Sequence, residues 1–71
     1  MTVSKLAILG CGNIGSALAK GLAKSGINPG EIILTRRKLS TLSNFSKAGF
    51  NITSDNIKAV QNSNIIFLAV G

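Results

Sequence analysis

Three glycines near the start of the chain have the spacing of a phosphate-binding turn. Gly10, Gly12 and Gly15 form the pattern G-x-G-x-x-G. The first glycine permits a tight turn, the second lacks a Cβ that would hold a pyrophosphate away, and the third lets a helix pack closely on a strand. The pattern is weak by itself, but an apolar run over 5–9 precedes it and an amphipathic segment follows. We therefore predict a dinucleotide-binding turn with a helix N-terminus facing an anion; a glycine-rich turn without a ligand is the alternative.

A basic segment lies about 20 residues after the glycines, where NAD-binding versions of this turn place an acid that holds the ribose 2′-hydroxyl. Here the residues are Thr35, Arg36 and Arg37. A threonine hydroxyl can donate a hydrogen bond to a phosphate, and a guanidinium can form bidentate bonds with one. The spacing predicts a 2′-phosphate site, and hence NADP(H) preferred over NAD(H). The alternative is a solvated basic loop.

Strands and helices are predicted to alternate along the chain. The apolar runs predict strands over 5–9, 31–35, 50–53 and 64–70, and the segments between them predict helices over 13–25, 38–48 and about 54–62. Such alternation implies right-handed crossovers and a parallel sheet of order 3-2-1-4, with a ligand crevice at the carboxyl ends of strands one and four. The predicted fold class is therefore α/β, the first half of a Rossmann-like domain.

Apolar spacing predicts which side of each helix is buried. In the first helix the predicted stripe is Ile14, Ala17, Leu18, Gly21 and Leu22, and Gly26 ends the helix. In the second helix it is Leu39, Leu42 and Phe45, and Gly49 ends the helix. The third helix is predicted to be capped by Thr53 or Ser54 and to place Ile57 and Val60 inward.

The length of 71 residues allows at most one small domain. A complete doubly wound dinucleotide domain has about six strands. We therefore expect residues 1–71 to be a truncated dinucleotide-binding domain of a longer protein. A complete small protein would instead leave strand four or its neighbour as an exposed apolar edge, and such edges favour association.

The composition limits the classes of partner. The net charge of +6 suits nucleic acid, a membrane surface or a phosphate-rich small molecule. The chain has no Trp or Tyr for base stacking, and no apolar run approaches a membrane span. A single cysteine, Cys11, offers neither a disulfide nor a metal cluster. We expect a cytoplasmic protein that binds a small molecule, with no nucleic-acid partner, no membrane partner and no metal site.

Three segments, 10–22, 31–37 and 59–70, together resemble the N-terminal domain of pyrroline-5-carboxylate reductases. The run Gly-Asn-Ile-Gly-Ser-Ala-Leu-Ala-Lys-Gly-Leu is more specific than the glycine pattern alone. The family reduces 1-pyrroline-5-carboxylate to proline with NAD(P)H, the last step of proline biosynthesis. The resemblance implies that the pyrophosphate is held by the glycine loop, the 2′-phosphate by the segment after strand two, the adenosine side by one asparagine, and the nicotinamide ribose by the end of strand four. The implied cofactor-binding residues are Leu9, Gly10, Cys11, Gly12, Asn13, Ile14, Gly15, Thr35, Arg36, Arg37, Asn56, Ala69 and Val70.

The chain differs from the family in two respects. The family usually continues strand four with Ala-Val-Lys-Pro, whereas Gly71 stands here in place of the lysine. The family's helical domain, which binds substrate and forms the dimer, lies beyond these residues. The resemblance therefore implies a homo-oligomer for the full-length protein and an inactive fragment for residues 1–71. Because the cofactor carries the hydride chemistry, no catalytic residue is assigned here.

Each implied role has an alternative. Asn13 could cap its helix, Asn56 could bond within its own first turn, Ala69 and Val70 could be core strand residues, and Cys11 could be a small filler. Deazaflavin-dependent NADP reductases and β-hydroxyacid dehydrogenases open with similar glycine loops. A nucleotide-sensing module or a basic nucleic-acid-binding domain is the alternative from another class.

Overall fold

Four parallel strands form the centre of the protein in the computed structural model, which describes residues 5–69. The elements in chain order are β1 (Leu6–Leu9), α1 (Asn13–Lys24), a 3-10 helix (Pro29–Glu31), β2 (Ile32–Thr35), a 3-10 helix (Leu39–Leu42), α2 (Ser43–Lys47), β3 (Asn51–Thr53), α3 (Asn56–Gln61) and β4 (Ile65–Leu68). The sheet order is β3-β2-β1-β4, as predicted. The carboxyl ends of all four strands therefore lie at one rim of the sheet.

The central strand β1 fixes the register of the sheet. Leu6 is opposite Ile32 of β2 and Ile65 of β4, and all the pairs are parallel. Ile8 and Leu34 are fully buried, as the apolar run of a central parallel strand predicts. The buried core thus lies directly beneath the rim where the glycine loop begins.

The buried face of α1 differs from the predicted stripe. Gly15 and Ala19 are buried, whereas Ile14, Ala17 and Gly21 are exposed. A Cβ on Gly15 would lie 3.2 Å from the Cγ2 atom of Ile8, so this glycine lets α1 approach β1 closely. The prediction was correct for Leu18 and Leu22, which pack against the core, and wrong for the other three positions. The close contact at Gly15 rotates the buried face away from them.

The segment predicted as one helix over 38–48 is divided into the 3-10 helix Leu39–Leu42 and the short helix α2. The hydroxyl of Thr41 donates to the carbonyl of Lys38 at 2.7 Å, a local bond that competes with a regular α-helical start. Leu42 is buried, and Phe45 packs edge-on against Phe50 with ring centroids 5.4 Å apart. Leu42 and Phe45 therefore pack in the core as expected, but the backbone conformation differs from the predicted single helix.

Two predictions for helix α3 were wrong. Its N-cap is Asp55, whose carboxylate accepts from the N–H of Lys58 at 3.1 Å, rather than Thr53 or Ser54. Ile57 and Val60 are 71% and 40% exposed, and Ala59 is the buried residue. Because the cap fixes where this short helix begins, it also fixes which residue turns toward the sheet.

Strand β4 is shorter than predicted, since it covers Ile65–Leu68 rather than 64–70. It lies at one edge of the sheet, and its residues Ile65, Ile66 and Leu68 are exposed. Within residues 5–69, no helix combines the length and the apolar character needed to cross a bilayer.

Candidate functional site

A cavity of about 520 Å³ lies at the carboxyl ends of β1 and β2, where the parallel fold predicts a ligand crevice. Its size falls within the range of small-molecule sites. The glycine loop, the start of α1, the segment after β2 and the residue after β4 supply its walls. The lining residues are Gly10, Gly12, Asn13, Ile14, Arg36, Arg37 and Ala69.

The glycine loop has the geometry of an anion-binding turn. Gly10 has φ of +77°, a conformation that favours glycine, and so the chain can turn sharply off β1. A Cβ on Gly12 would have no heavy atom within 4 Å, so the space beside its Cα is open. The N-cap of α1 is Gly12 itself, with no side-chain cap bond. The first backbone N–H groups of α1 are thus free of side-chain acceptors at the mouth of the cavity.

The arginine pair lies on the same cavity. Arg36 and Arg37 are exposed, follow β2 directly, and line the cavity together with Gly12. The N–H of Arg36 donates to the carbonyl of Thr53 at 3.3 Å, which continues the pairing of β2 with β3 to the rim. Backbone pairing therefore positions the base of the arginine segment, while the guanidinium groups are exposed to solvent.

A second cavity of about 300 Å³ adjoins the first and shares Gly10 and both arginines with it. Asn56, predicted on the adenosine side, lines this second cavity. Ser54 also lines it, and the sequence interpretation missed this residue as a site candidate. The available signal was its position directly after β3, because residues that follow neighbouring parallel strands meet at the same rim.

Three predicted site residues are buried or half-buried, and one of them also lines a cavity. Leu9 is half-buried in β1, and Cys11 is fully buried in the hydrophobic core, with its Sγ atom 3.7 Å from the hydroxyl oxygen of Ser16. Thr35 is 1% exposed, although it contributes to the wall of the second cavity. Val70 lies outside the described residues.

Three further candidates contact or flank the loop. Asn13 lines the large cavity and makes no cap for α1, because the cap position belongs to Gly12. Ile14 is 62% exposed at the cavity wall. Gly15 is buried against β1 and Ala69, so it holds the helix in place. The structure thus separates residues that face the cavity from those that support it.

The electrostatic character of both cavities is positive. Their linings include two arginines and no carboxylate side chain. The two acidic residues of the chain are Glu31 and Asp55, against eight Lys and Arg. Among the residues described, no group of three or more potential ligand side chains could hold a metal ion. The site is suited to an anionic ligand.

Comparison with known proteins agrees with this geometry. Residues 5–71 match a family model described as "NADP oxidoreductase coenzyme F420-dependent". The chain belongs to this family. Within the family of NADP oxidoreductases, the resemblance to the N-terminal domain of pyrroline-5-carboxylate reductases is also confirmed. The chain is 41% identical over 66 residues to pyrroline-5-carboxylate reductase 1 of Dictyostelium discoideum, a match that covers 92% of this chain and 12% of that protein.

Solved structures of oxidoreductases have the same fold. A pyrroline-5-carboxylate reductase from Coxiella burnetii matches with a TM-score of 0.88 and 33% identity, over 97% of this chain and 26% of that one. An imine reductase variant from Myxococcus stipitatus, in complex with NAD+, matches with a TM-score of 0.80 and 26% identity, over 96% of this chain and 23% of that one. The chain therefore spans between 12% and 26% of the length of these three proteins.

Proposed function

We propose that this chain is the NADPH-binding part of an imine reductase that converts 1-pyrroline-5-carboxylate to proline. The observation that carries the proposal is a single cavity lined by both the open glycine turn and the Arg36–Arg37 pair. A dinucleotide with a 2′-phosphate has two anionic groups, a pyrophosphate for the glycine turn and the 2′-phosphate for the arginine pair. The bound cofactor would supply the hydride.

The residues of the chain would bind and orient this cofactor. The open space beside Gly12 would admit the pyrophosphate close to the N–H groups at the start of α1. Arg36 and Arg37 would hold the 2′-phosphate, and Asn56 and Ser54 would lie beside the adenosine in the second cavity. Ala69, at the wall of the large cavity, would border the nicotinamide ribose, as Val70 would by resemblance.

The relatives' names and the short coverage support the remaining parts of the proposal. Residues 1–71 would be the first part of a dinucleotide-binding domain, and the groups that orient the pyrroline ring would belong to a further domain. By the same resemblance, the full-length protein would be a homo-oligomer with a small-molecule substrate. The composition of the chain suits a cytoplasmic protein. A second candidate is a deazaflavin-dependent NADP reductase, which the description of the matching family favours.

Titration of the protein with NADPH and NADH tests the cofactor assignment. One hydrogen bond to a charged group contributes about 1.5–3 kcal/mol, which corresponds to roughly ten- to hundredfold in affinity. We expect NADPH to bind at least about tenfold more tightly than NADH. The double variant Arg36→Ala/Arg37→Ala should lose this preference through weaker NADPH binding, with NADH binding nearly unchanged.

A matched control removes two positive charges elsewhere. Lys24→Gln/Lys47→Gln changes two exposed lysines that line neither cavity, so it should retain the NADPH preference. Equal affinity of the unmodified protein for NADPH and NADH would contradict the assignment. The substrate is tested separately, by measuring NADPH oxidation by the full-length protein with pyrroline-5-carboxylate and with a deazaflavin as acceptor.

A further inference from the structure

Thr35 is buried at the point where the glycine loop and the arginine segment meet. It is the last residue of β2, it is 1% exposed, and it is the only buried polar residue within the described range 5–69. The arginine segment begins at the next residue. A hydroxyl-bearing residue at such a position requires a hydrogen-bond partner inside the protein.

That partner belongs to the glycine loop. The N–H of Gly10 donates to the Oγ1 atom of Thr35 at 3.1 Å, and the N–H of Cys11 donates to the carbonyl oxygen of Thr35 at 2.7 Å. The first bond joins residues 25 positions apart and depends on the side chain. Thr35 therefore holds two consecutive backbone amides of the glycine loop.

These bonds act on the residue that turns the loop. Gly10 has φ of +77° and is exposed, so little packing from its own surroundings restrains it. The hydroxyl of Thr35 fixes the direction of its N–H. Through the next peptide bond, the same residue fixes where Arg36 leaves β2.

We propose that Thr35 is a positioning residue that sets the separation between the glycine loop and the arginine pair, rather than a ligand of the 2′-phosphate. This inference rests on the proposed function, and it replaces the direct phosphate contact predicted for Thr35. The affinity of a ligand that contacts both the glycine loop and the arginine pair depends on their separation. The affinity of a ligand that contacts only one of them does not. Holding the two parts at the correct separation before binding avoids the cost of ordering them on binding.

The test compares NADPH, which spans both parts, with adenosine 2′-monophosphate, which reaches only the arginine side. Thr35→Val retains the branched shape and removes the hydroxyl, and Thr35→Ser retains the hydroxyl. We expect Thr35→Val to lower the affinity for NADPH by about tenfold, the effect of one lost hydrogen bond. Its affinity for adenosine 2′-monophosphate should stay within about twofold of that of the unmodified protein. Thr35→Ser should bind both ligands like the unmodified protein.

A second measurement needs no ligand. The amide 15N and 1H chemical shifts of Gly10 should move in Thr35→Val and remain near their original values in Thr35→Ser. Equal weakening of both ligands in Thr35→Val would overturn the proposal, since it would indicate a direct phosphate contact or a general loss of structure. Unchanged NADPH binding would also overturn it. Failure of the unmodified protein to bind adenosine 2′-monophosphate would instead count against the proposed cofactor site itself.

Discussion

Gly12 precedes α1 with φ of −94°, and a Cβ built on it would meet no heavy atom within 4 Å. Its φ is negative, so a side chain is not excluded by the left-handed conformation that Gly10 requires. Contact with neighbouring residues therefore does not require glycine at position 12. Under the proposed function, glycine at this position serves a ligand that approaches the backbone.

We therefore predict that Gly12→Ala separates binding from stability. The added methyl group would occupy the open space beside the start of α1, and NADPH affinity should fall by about tenfold or more, as loss of a charge-assisted contact implies. The free energy of unfolding should change by no more than about 1 kcal/mol. Ligand titration and urea unfolding measure the two quantities, and a loss of stability of several kcal/mol would show that glycine is needed for the fold.

At this scale, the sequence predicted which residues would meet at the rim of the sheet. Gly10, Gly12 and the arginine pair line one cavity, because their distances along the chain place them at neighbouring strand ends. The actual bond of Thr35 was missed, because it joins residues 25 positions apart and depends on strand register. Ser54 was missed for the same reason, since its cavity exists only once β3 pairs beside β2.

Among the elements, α1 contains two glycines with opposite surroundings. Gly15 faces β1, where a Cβ would lie 3.2 Å from both the Cγ2 atom of Ile8 and the Cβ atom of Ala69. Gly21 is exposed, and a Cβ there would meet nothing within 4 Å. Helix propensity favours alanine over glycine at both positions by about 1 kcal/mol, so any difference between them reports packing.

We predict that Gly21→Ala stabilises the protein by about 0.5–1 kcal/mol, because it reduces the entropy of the unfolded chain without creating a clash. Gly15→Ala should be less stable than Gly21→Ala by at least about 1 kcal/mol, since the new methyl group would overpack the contact of α1 with β1. Urea unfolding of both variants gives the comparison. Equal stability of the two variants would mean that α1 can move away from the sheet at no cost.

The sequence predicted the element order and the sheet order more accurately than helix orientation. Alternating apolar runs and glycine-bearing turns are enough to define β-α-β units. Orientation failed in α3, where Ile57 and Val60 were expected inward and are exposed. A six-residue helix turns only one or two residues toward a sheet, and the cap at Asp55 selects Ala59. Hydrophobicity alone does not identify that cap.

At the scale of the whole molecule, the largest apolar exposure lies on β4 and α3. Leu68 is 72% exposed, and Ile65 and Ile66 are each more than 40% exposed. An edge strand with unpaired backbone groups and apolar side chains favours association with other chains. In the 71-residue chain by itself, this edge has no covering element among the described residues.

We predict that Leu68→Lys lowers self-association of the 71-residue chain. A charge on the exposed end of β4 opposes edge pairing, and removal of a residue that is 72% exposed should change the free energy of unfolding by less than about 0.5 kcal/mol. Sedimentation velocity over a range of concentrations measures the association. Ser40→Lys, at an exposed position away from β4, controls for added charge, and an equal effect of both variants would assign the change to net charge.

The segment Arg36–Lys38 consists of exposed side chains, while the bonds that hold the glycine loop come from Thr35 inside β2. Under the proposed function, the residues that discriminate between cofactors and the residue that holds the loop would be adjacent but separable. Substitutions at the three surface positions would then change the preference between phosphorylated and unphosphorylated cofactors without altering the protein interior. A protein with this arrangement could change its source of reducing equivalents through a few surface substitutions.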